Sequence, residues 1–292
     1  MTRHLIHIGF PKTGSSFLQE WFERHPQLCY LHGRVAGIDN VFAFLSGAFD
    51  ASQPLWRVTS AEGFSVPNRD AGKLPEIGRP LTAKEITAAQ KQACEMLFGL
   101  FPGACILVVT RGFRSAALSG YSQFVRLGAA HSFEDVMKRP DLGLWEWNYD
   151  EVIAHYRAAF GDRVIVMPYE LLAEDQDAFL RELERRLDID RQPFSKQRVN
   201  HGLSAAELRW YPRLSRLMRR LTQGRGWLWR LYASLLFRNR LALPIRLANR
   251  LWPTHPLSAA SIDDEILRPL GSLARKLADE PLYARYRADY QN

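Results

Sequence analysis

Apolar positions along this chain recur in two rhythms. Residues 5–10 form a short, nearly continuous apolar run that closes on a Gly/Pro turn, the mark of a strand buried on both faces. Phe17, Leu18, Trp21 and Phe22 follow at helical spacing, so the chain opens as strand, loop, helix. A stretch rich in Gly, Pro and Ser runs from 33 to 80 and holds a second short strand over 55–59. The spacing then predicts a helix over 82–101, with Thr82 as N-cap and Glu85 completing a capping box. Residues 104–110 (Ala-Cys-Ile-Leu-Val-Val-Thr) predict another buried strand, with a helix after Arg114. Helices over 149–160 and 177–187 flank a strand over 164–167.

Strands alternating with helices of this length imply a parallel sheet with right-handed crossovers, hence an α/β fold. After Pro193 the pattern changes to Arg-, Leu- and Trp-rich helices that Pro244, Pro253 and Pro269 are expected to break. Two parts are therefore expected: an α/β domain over 1–195, and a basic helical extension over 196–292 packing on it.

Charge sharpens this division. Of a net +8, the segment 205–255 alone carries +10, from eleven arginines, no lysine and one acid, Glu207. Such a segment reads either as a solvated helical face or as an attractor for an anionic nucleotide, an acidic glycan or an anionic lipid surface. No nucleic-acid reader motif accompanies it, so no nucleic-acid partner is expected. Three scattered cysteines (Cys29, Cys94, Cys105) without metal-ligand spacing point to a reducing compartment and to no metal site. No apolar window reaches the ~18 residues of a membrane span, and strand-like sequence starts at Leu5. The expected location is the cytoplasm, with peripheral contact to the inner membrane face through the basic helices left open.

Candidate chemistry begins at the first turn. Gly9-Phe10-Pro11-Lys12-Thr13-Gly14-Ser15-Ser16 lies between a strand and a helix, where successive backbone N–H groups and a helix N-terminus meet an anion. An ATP- or GTP-binding loop of the form G-x-x-x-x-G-K-[ST] would put a lysine after the second glycine. Here Ser15 occupies that place and the lysine has moved inside the loop, to Lys12. The strand over 104–110 ends in Arg111, where a nucleotide triphosphatase carries a magnesium-organising Asp. A cation at that edge suits direct, metal-free binding of a phosphate. The fold class expected from this loop is a P-loop-type three-layer α/β/α architecture with a central parallel sheet and a C-terminal helical extension.

The residues 11–16, Pro-Lys-Thr-Gly-Ser-Ser after a first strand, resemble the 5′-phosphosulfate loop of sulfotransferases that use 3′-phosphoadenosine 5′-phosphosulfate (PAPS). Thr110-Arg111-x-x-Arg114-x-x-x-x-Ser119-x-Tyr121 resembles the 3′-phosphate element of the same family, a strand-end Arg followed eight positions later by a helical Ser. Tyr169-Glu170-Leu-Leu, after Val166-Met-Pro, is similar to a strand-end Tyr-Glu-x-Leu whose tyrosine contacts adenine in several members. The likeness spans roughly residues 3–200 and is nearest to the bacterial, carbohydrate-sulfotransferase-like branch.

The resemblance implies PAPS as donor, 3′-phosphoadenosine 5′-phosphate (PAP) as product, no metal, and a hydroxyl or amine of a carbohydrate or glycolipid as acceptor. It places Pro11, Lys12, Thr13, Gly14, Ser15 and Ser16 on the 5′-phosphosulfate, Arg111, Ser119 and Arg114 at the 3′-phosphate, and Tyr169 at the base. Arg114 reads equally as a helix-surface arginine. The family's late Arg-Lys-Gly loop is not recognisable, and Lys196 and Arg198 stand in a comparable place. Lys12 is the candidate for stabilising charge on the leaving oxygens. Glu62, after the strand over 55–59, is the candidate general base, with His32 as runner-up; His7 reads as a core histidine. A metal-dependent nucleotide phosphotransferase and a non-catalytic anion- or membrane-binding module of the same fold remain the alternatives. Acceptor identity and oligomeric state are not set by the sequence.

Overall fold

A computed structural model of the protein describes residues 3–37, 55–65, 82–138, 147–195, 203–223, 225–238, 241–251 and 257–291. Lys196, Arg198 and Pro253, singled out above, lie outside the described residues. In chain order the elements are β1 (Arg3–His7), α1 (Ser15–Arg24), β2 (Leu28–Tyr30), β3 (Trp56–Ser60), α2 (Ala83–Leu100) and β4 (Cys105–Thr110). Next come α3 (Phe113–Arg126), α4 (Phe133–Met137), α5 (Tyr149–Phe160), β5 (Val164–Pro168), α6 (Tyr169–Glu174) and α7 (Gln176–Leu187). The chain closes with α8 (Ala205–Thr222), α9 (Gly226–Phe237), α10 (Ala242–Leu251), α11 (Asp264–Gly271), α12 (Arg275–Ala278) and α13 (Arg287–Tyr290).

These elements gather into two compact units. The first comprises Met1–Gly112, Trp145–Gln197 and Leu270–Asn292; the second comprises Phe113–Leu144 and Arg198–Pro269. Both draw on chain from either side of residue 195.

The first unit is a five-stranded sheet in the order β2-β3-β1-β4-β5 with every pairing parallel. Helices cover both faces, as a parallel sheet requires when each strand is apolar on both sides. Leu5, Leu107, Val109, Ile165 and Met167 point to one side, where they meet Leu18, Trp21 and Phe22 of α1 and Phe179, Leu183 and Leu187 of α7. α5 packs against β4 and β5 and against α2. The result is the three-layer α/β/α architecture expected from the sequence.

Local signals account for most boundaries. Thr82 Oγ1 accepts the Glu85 amide while the Glu85 carboxylate accepts the Thr82 amide at 2.7 Å, the capping box that starts α2. β1 is displaced toward the N-terminus of the predicted strand. Ile8 still donates to Leu107 O at 3.0 Å, but the Gly9 carbonyl is taken by the Ser65 hydroxyl and the ladder ends there.

The second unit is helical. Pro244 does not break its helix; it falls in the first turn of α10, where its missing N–H would have had no partner. Pro269 lies inside α11, two residues before that helix ends. α8 also carries an interior proline, Pro212.

Candidate active site

β1 sits between β3 and β4, so the strand order changes direction at its carboxyl end, the place where open parallel sheets bind ligands. His7 is in register with Ser60 and Thr110 with Pro168, so the chain leaves β1, β3, β4 and β5 along one edge. The loop 9–14, Glu62, Arg111 and Tyr169 all start from that edge.

Gly14, at a φ of 88°, is the N-cap residue of α1, and no side chain caps the helix. The hydroxyls of Ser15 and Ser16 are thus not caps. The amide N–H groups of Gly14, Ser15 and Ser16 have no acceptor among the described residues, and Ser15 Oγ is buried without a hydrogen-bond partner among them. Orphan donors at the positive end of a helix are a ready anion site. The Thr13 hydroxyl is turned inward, donating to Phe10 O at 2.7 Å, which pins the loop. Gly9 has no room for a side chain: a Cβ there would stand 2.7 Å from Ser15 Oγ and 3.0 Å from the His7 ring. Lys12 has an exposed side chain and a left-handed backbone, φ 68°. That conformation is uncommon for a residue with a Cβ.

Arg111 explains how this conformation is held. Its Nη1 donates to Lys12 O at 2.7 Å, and its guanidinium lies 4.3 Å from the centroid of the Tyr169 ring. Burial presses its pKa downward, against opposing pulls from Tyr169 and Glu170. Glu170 accepts from the Gly112 amide at 2.9 Å and from Tyr290 Oη at 2.8 Å. Its own pKa is raised by burial, with the two hydrogen bonds resisting. Thr110 Oγ1 lies 2.7 Å from Tyr283 Oη and 3.2 Å from Tyr290 Oη. A buried polar network therefore backs the end of β4.

Glu62 opens a short 3₁₀ turn after β3 and is exposed. That turn is stapled to the β1 exit by Ala61 N donating to His7 O at 3.1 Å and Ser65 Oγ donating to Gly9 O at 2.7 Å. His32 is exposed, with Nδ1 3.3 Å from Tyr30 Oη. His7 is wholly buried; its Nδ1 lies 2.8 Å from Ser60 Oγ, and its Nε2 has no partner among the described residues. Burial holds its pKa down at about 4, so the ring is neutral.

Residues 5–193 match the profile of the sulfotransferase family. The chain belongs to that family. Among solved structures, this sulfotransferase is similar to one from Alicyclobacillus acidocaldarius at 15% identity, over 79% of this chain and 99% of the other, with a TM-score of 0.47. It is also similar to mouse sulfotransferase SULT7A1 complexed with PAP, at 12% identity over 99% of this chain and 89% of the other, with a TM-score of 0.38. Likenesses this distant license no inference from those molecules to this one. No curated protein sequence is significantly similar to the chain.

In the second unit of the sulfotransferase, Ser119 is half-buried on α3. Arg114, on the same helix, is held within that unit: it donates to Ile262 O at 2.6 Å and forms an ion pair with Asp264. Among the described residues, no three His, Cys, Asp or Glu side chains gather into a group able to hold a metal. Sequence reasoning missed Tyr283 and Tyr290, which reach the Thr110 edge from the chain's far end. It also missed Ser60 as the partner of His7. Only the i/i+7 spacing of the two tyrosines hinted that they share a helical face.

Proposed function

We propose that this sulfotransferase transfers the sulfuryl group of PAPS to a hydroxyl or amine of a carbohydrate or glycolipid by in-line displacement. The acceptor oxygen or nitrogen forms a bond to sulfur as the bond from sulfur to the 5′-phosphate oxygen breaks. The electron pair leaves with that oxygen, releasing PAP. The acceptor's proton passes to a base, for which we assign Glu62.

The observation that carries this reading is the uncapped N-terminus of α1. Its unpaired amides from Gly14 to Ser16 and the buried Ser15 hydroxyl, without a partner among the described residues, suit acceptor-only phosphate and sulfate oxygens. Lys12 is assigned to the charge that develops on the bridging and leaving oxygens. An arginine where magnesium-dependent enzymes of this loop type carry an acid supports binding of the nucleotide through cations. Arg111 is assigned to the 3′-phosphate and Tyr169 to the adenine side. Arg114 takes a lesser place in this assignment because Asp264 and the Ile262 carbonyl engage it.

Titration calorimetry with PAP tests the reading directly. Micromolar affinity that survives removal of divalent metal is expected. No binding at millimolar PAP, or turnover of ATP in its place, would overturn it.

A further inference from the structure

The arginine-rich segment is not used by the chemistry above, and the structure adds to it what the charge count lacked. One side of α9 packs within the second unit: Tyr232 and Leu236 are buried, and Tyr232 Oη lies 2.6 Å from Ser215 Oγ of α8. Another side is apolar and faces outward. Trp227, Leu228 and Leu231 fall within about 100° of helical arc, and Trp227 is 71% exposed. α8 and α10 repeat the pattern, with Leu217 and Leu221 on the first and Leu247 and Leu251 on the second, each pair four residues apart and at least half exposed. Surface leucines scattered singly need no explanation; exposed pairs on three successive helices do.

What surrounds these pairs identifies the occupant. Arg220, Arg225, Arg230 and Arg238 are exposed and have no carboxylate partner among the described residues. Glu207, the one acid in the segment, is buried and spends its carboxylate capping α8 at Ser204. A second copy meeting this face through a two-fold axis would set arginine against arginine. A polyanion in water would be recognised by the arginines and would leave the leucines and the tryptophan unused. An anionic lipid surface satisfies both, taking the apolar side chains among its acyl chains and the guanidinium groups among its phosphates.

We propose that α8, α9 and α10 form a peripheral docking surface for anionic membranes. None of the helices among the described residues is long and apolar enough to cross a bilayer, so the contact is interfacial.

The test uses the full-length chain and vesicles of phosphatidylcholine with and without phosphatidylglycerol. Co-sedimentation with the anionic vesicles alone is expected, weakening as salt rises. The pair Trp227→Ser with Leu231→Ser and the pair Arg220→Gln with Arg230→Gln should each weaken it about tenfold or more, with an unchanged melting temperature. Four results would overturn the proposal: no binding to anionic vesicles, equal binding to neutral ones, binding untouched by the Trp227/Leu231 pair, or a dimer in light scattering that this pair dissolves. The third would leave the arginines as a binder of acidic polymers, and the fourth would assign the face to a second copy.

Discussion

Arg111 reaches across 99 positions of sequence to place Nη1 2.7 Å from the carbonyl oxygen of Lys12. The end of β4 thereby holds the non-glycine residue of the loop 9–14 whose backbone is left-handed. One arm of its fork thus shapes the loop, and the function proposed above gives the arginine a second task at the 3′-phosphate. Lysine cannot divide itself this way, because its charge sits at one point. Arg111→Lys should weaken PAP binding about 10- to 100-fold, while binding of AMP, which lacks the 3′-phosphate, falls much less. Calorimetry with the two nucleotides separates the tasks; an equal loss for both would mean that Arg111 serves the loop alone.

Lys12 is exposed and its side chain is not part of the core. Lys12→Ala should cut the transfer rate about 100- to 1,000-fold, the usual cost of removing one donor aimed at developing charge. Stability should change by less than about 0.5 kcal/mol, as for surface positions generally. Single-turnover assays beside urea melts check both; a large stability loss with intact transfer would contradict the assignment.

A general base is needed only for the acceptor. Glu62→Gln should therefore lower kcat by roughly 100-fold or more and leave PAP affinity unchanged, whereas His32→Ala should affect neither. If His32→Ala is the damaging substitution, the base has been assigned to the wrong residue.

His7 predicts a pH dependence of folding. Its pKa is about 4 in the folded protein against an ordinary 6.5, because burial disfavours the charged ring. Above pH 6.5 both states hold a neutral ring and this group contributes no slope. As pH falls from 6.5 toward 4, the unfolded chain binds a proton that the folded one refuses, and about 3 kcal/mol of stability is lost. His4, lowered to about 4 by burial and by Arg57, acts in the same window. Urea melts across that range should show the loss, and His7→Asn should reduce it, leaving the share that His4 contributes.

Tyr290 donates to Glu170, and its oxygen also lies near Thr110 Oγ1. Tyr290→Phe leaves a buried carboxylate short of one donor and should cost about 1–3 kcal/mol. Because Glu170 also accepts the Gly112 amide, next to Arg111, a weaker PAP affinity should accompany the lower denaturation midpoint. A midpoint unchanged from the natural protein would remove this network from the account.

Several of these features were legible in one dimension because their causes are local. The capping box at Thr82 and Glu85, the apolar run of β4 and the spacing of α1 depend on residues a few positions apart. So does the loop from Gly9 to Ser16, whose glycines and displaced lysine suggest the anion site proposed above. The breaks expected at Pro244 and Pro269 did not occur, because proline's cost depends on its place within a helical turn and sequence leaves that place uncertain by a few residues.

Tertiary structure alone decided which distant groups meet. Strand order put β1 between β3 and β4 and brought Arg111 to the Lys12 carbonyl. Tyr283 and Tyr290 came back beneath Thr110, and Ser60 came within reach of His7. Each pairing depends on sheet register and on burial of apolar faces contributed by segments far apart in the chain, and no local pattern encodes either. The same holds for the exposed face of α9. Periodicity marked that helix as amphipathic and basic, but only packing showed which apolar residues were left uncovered.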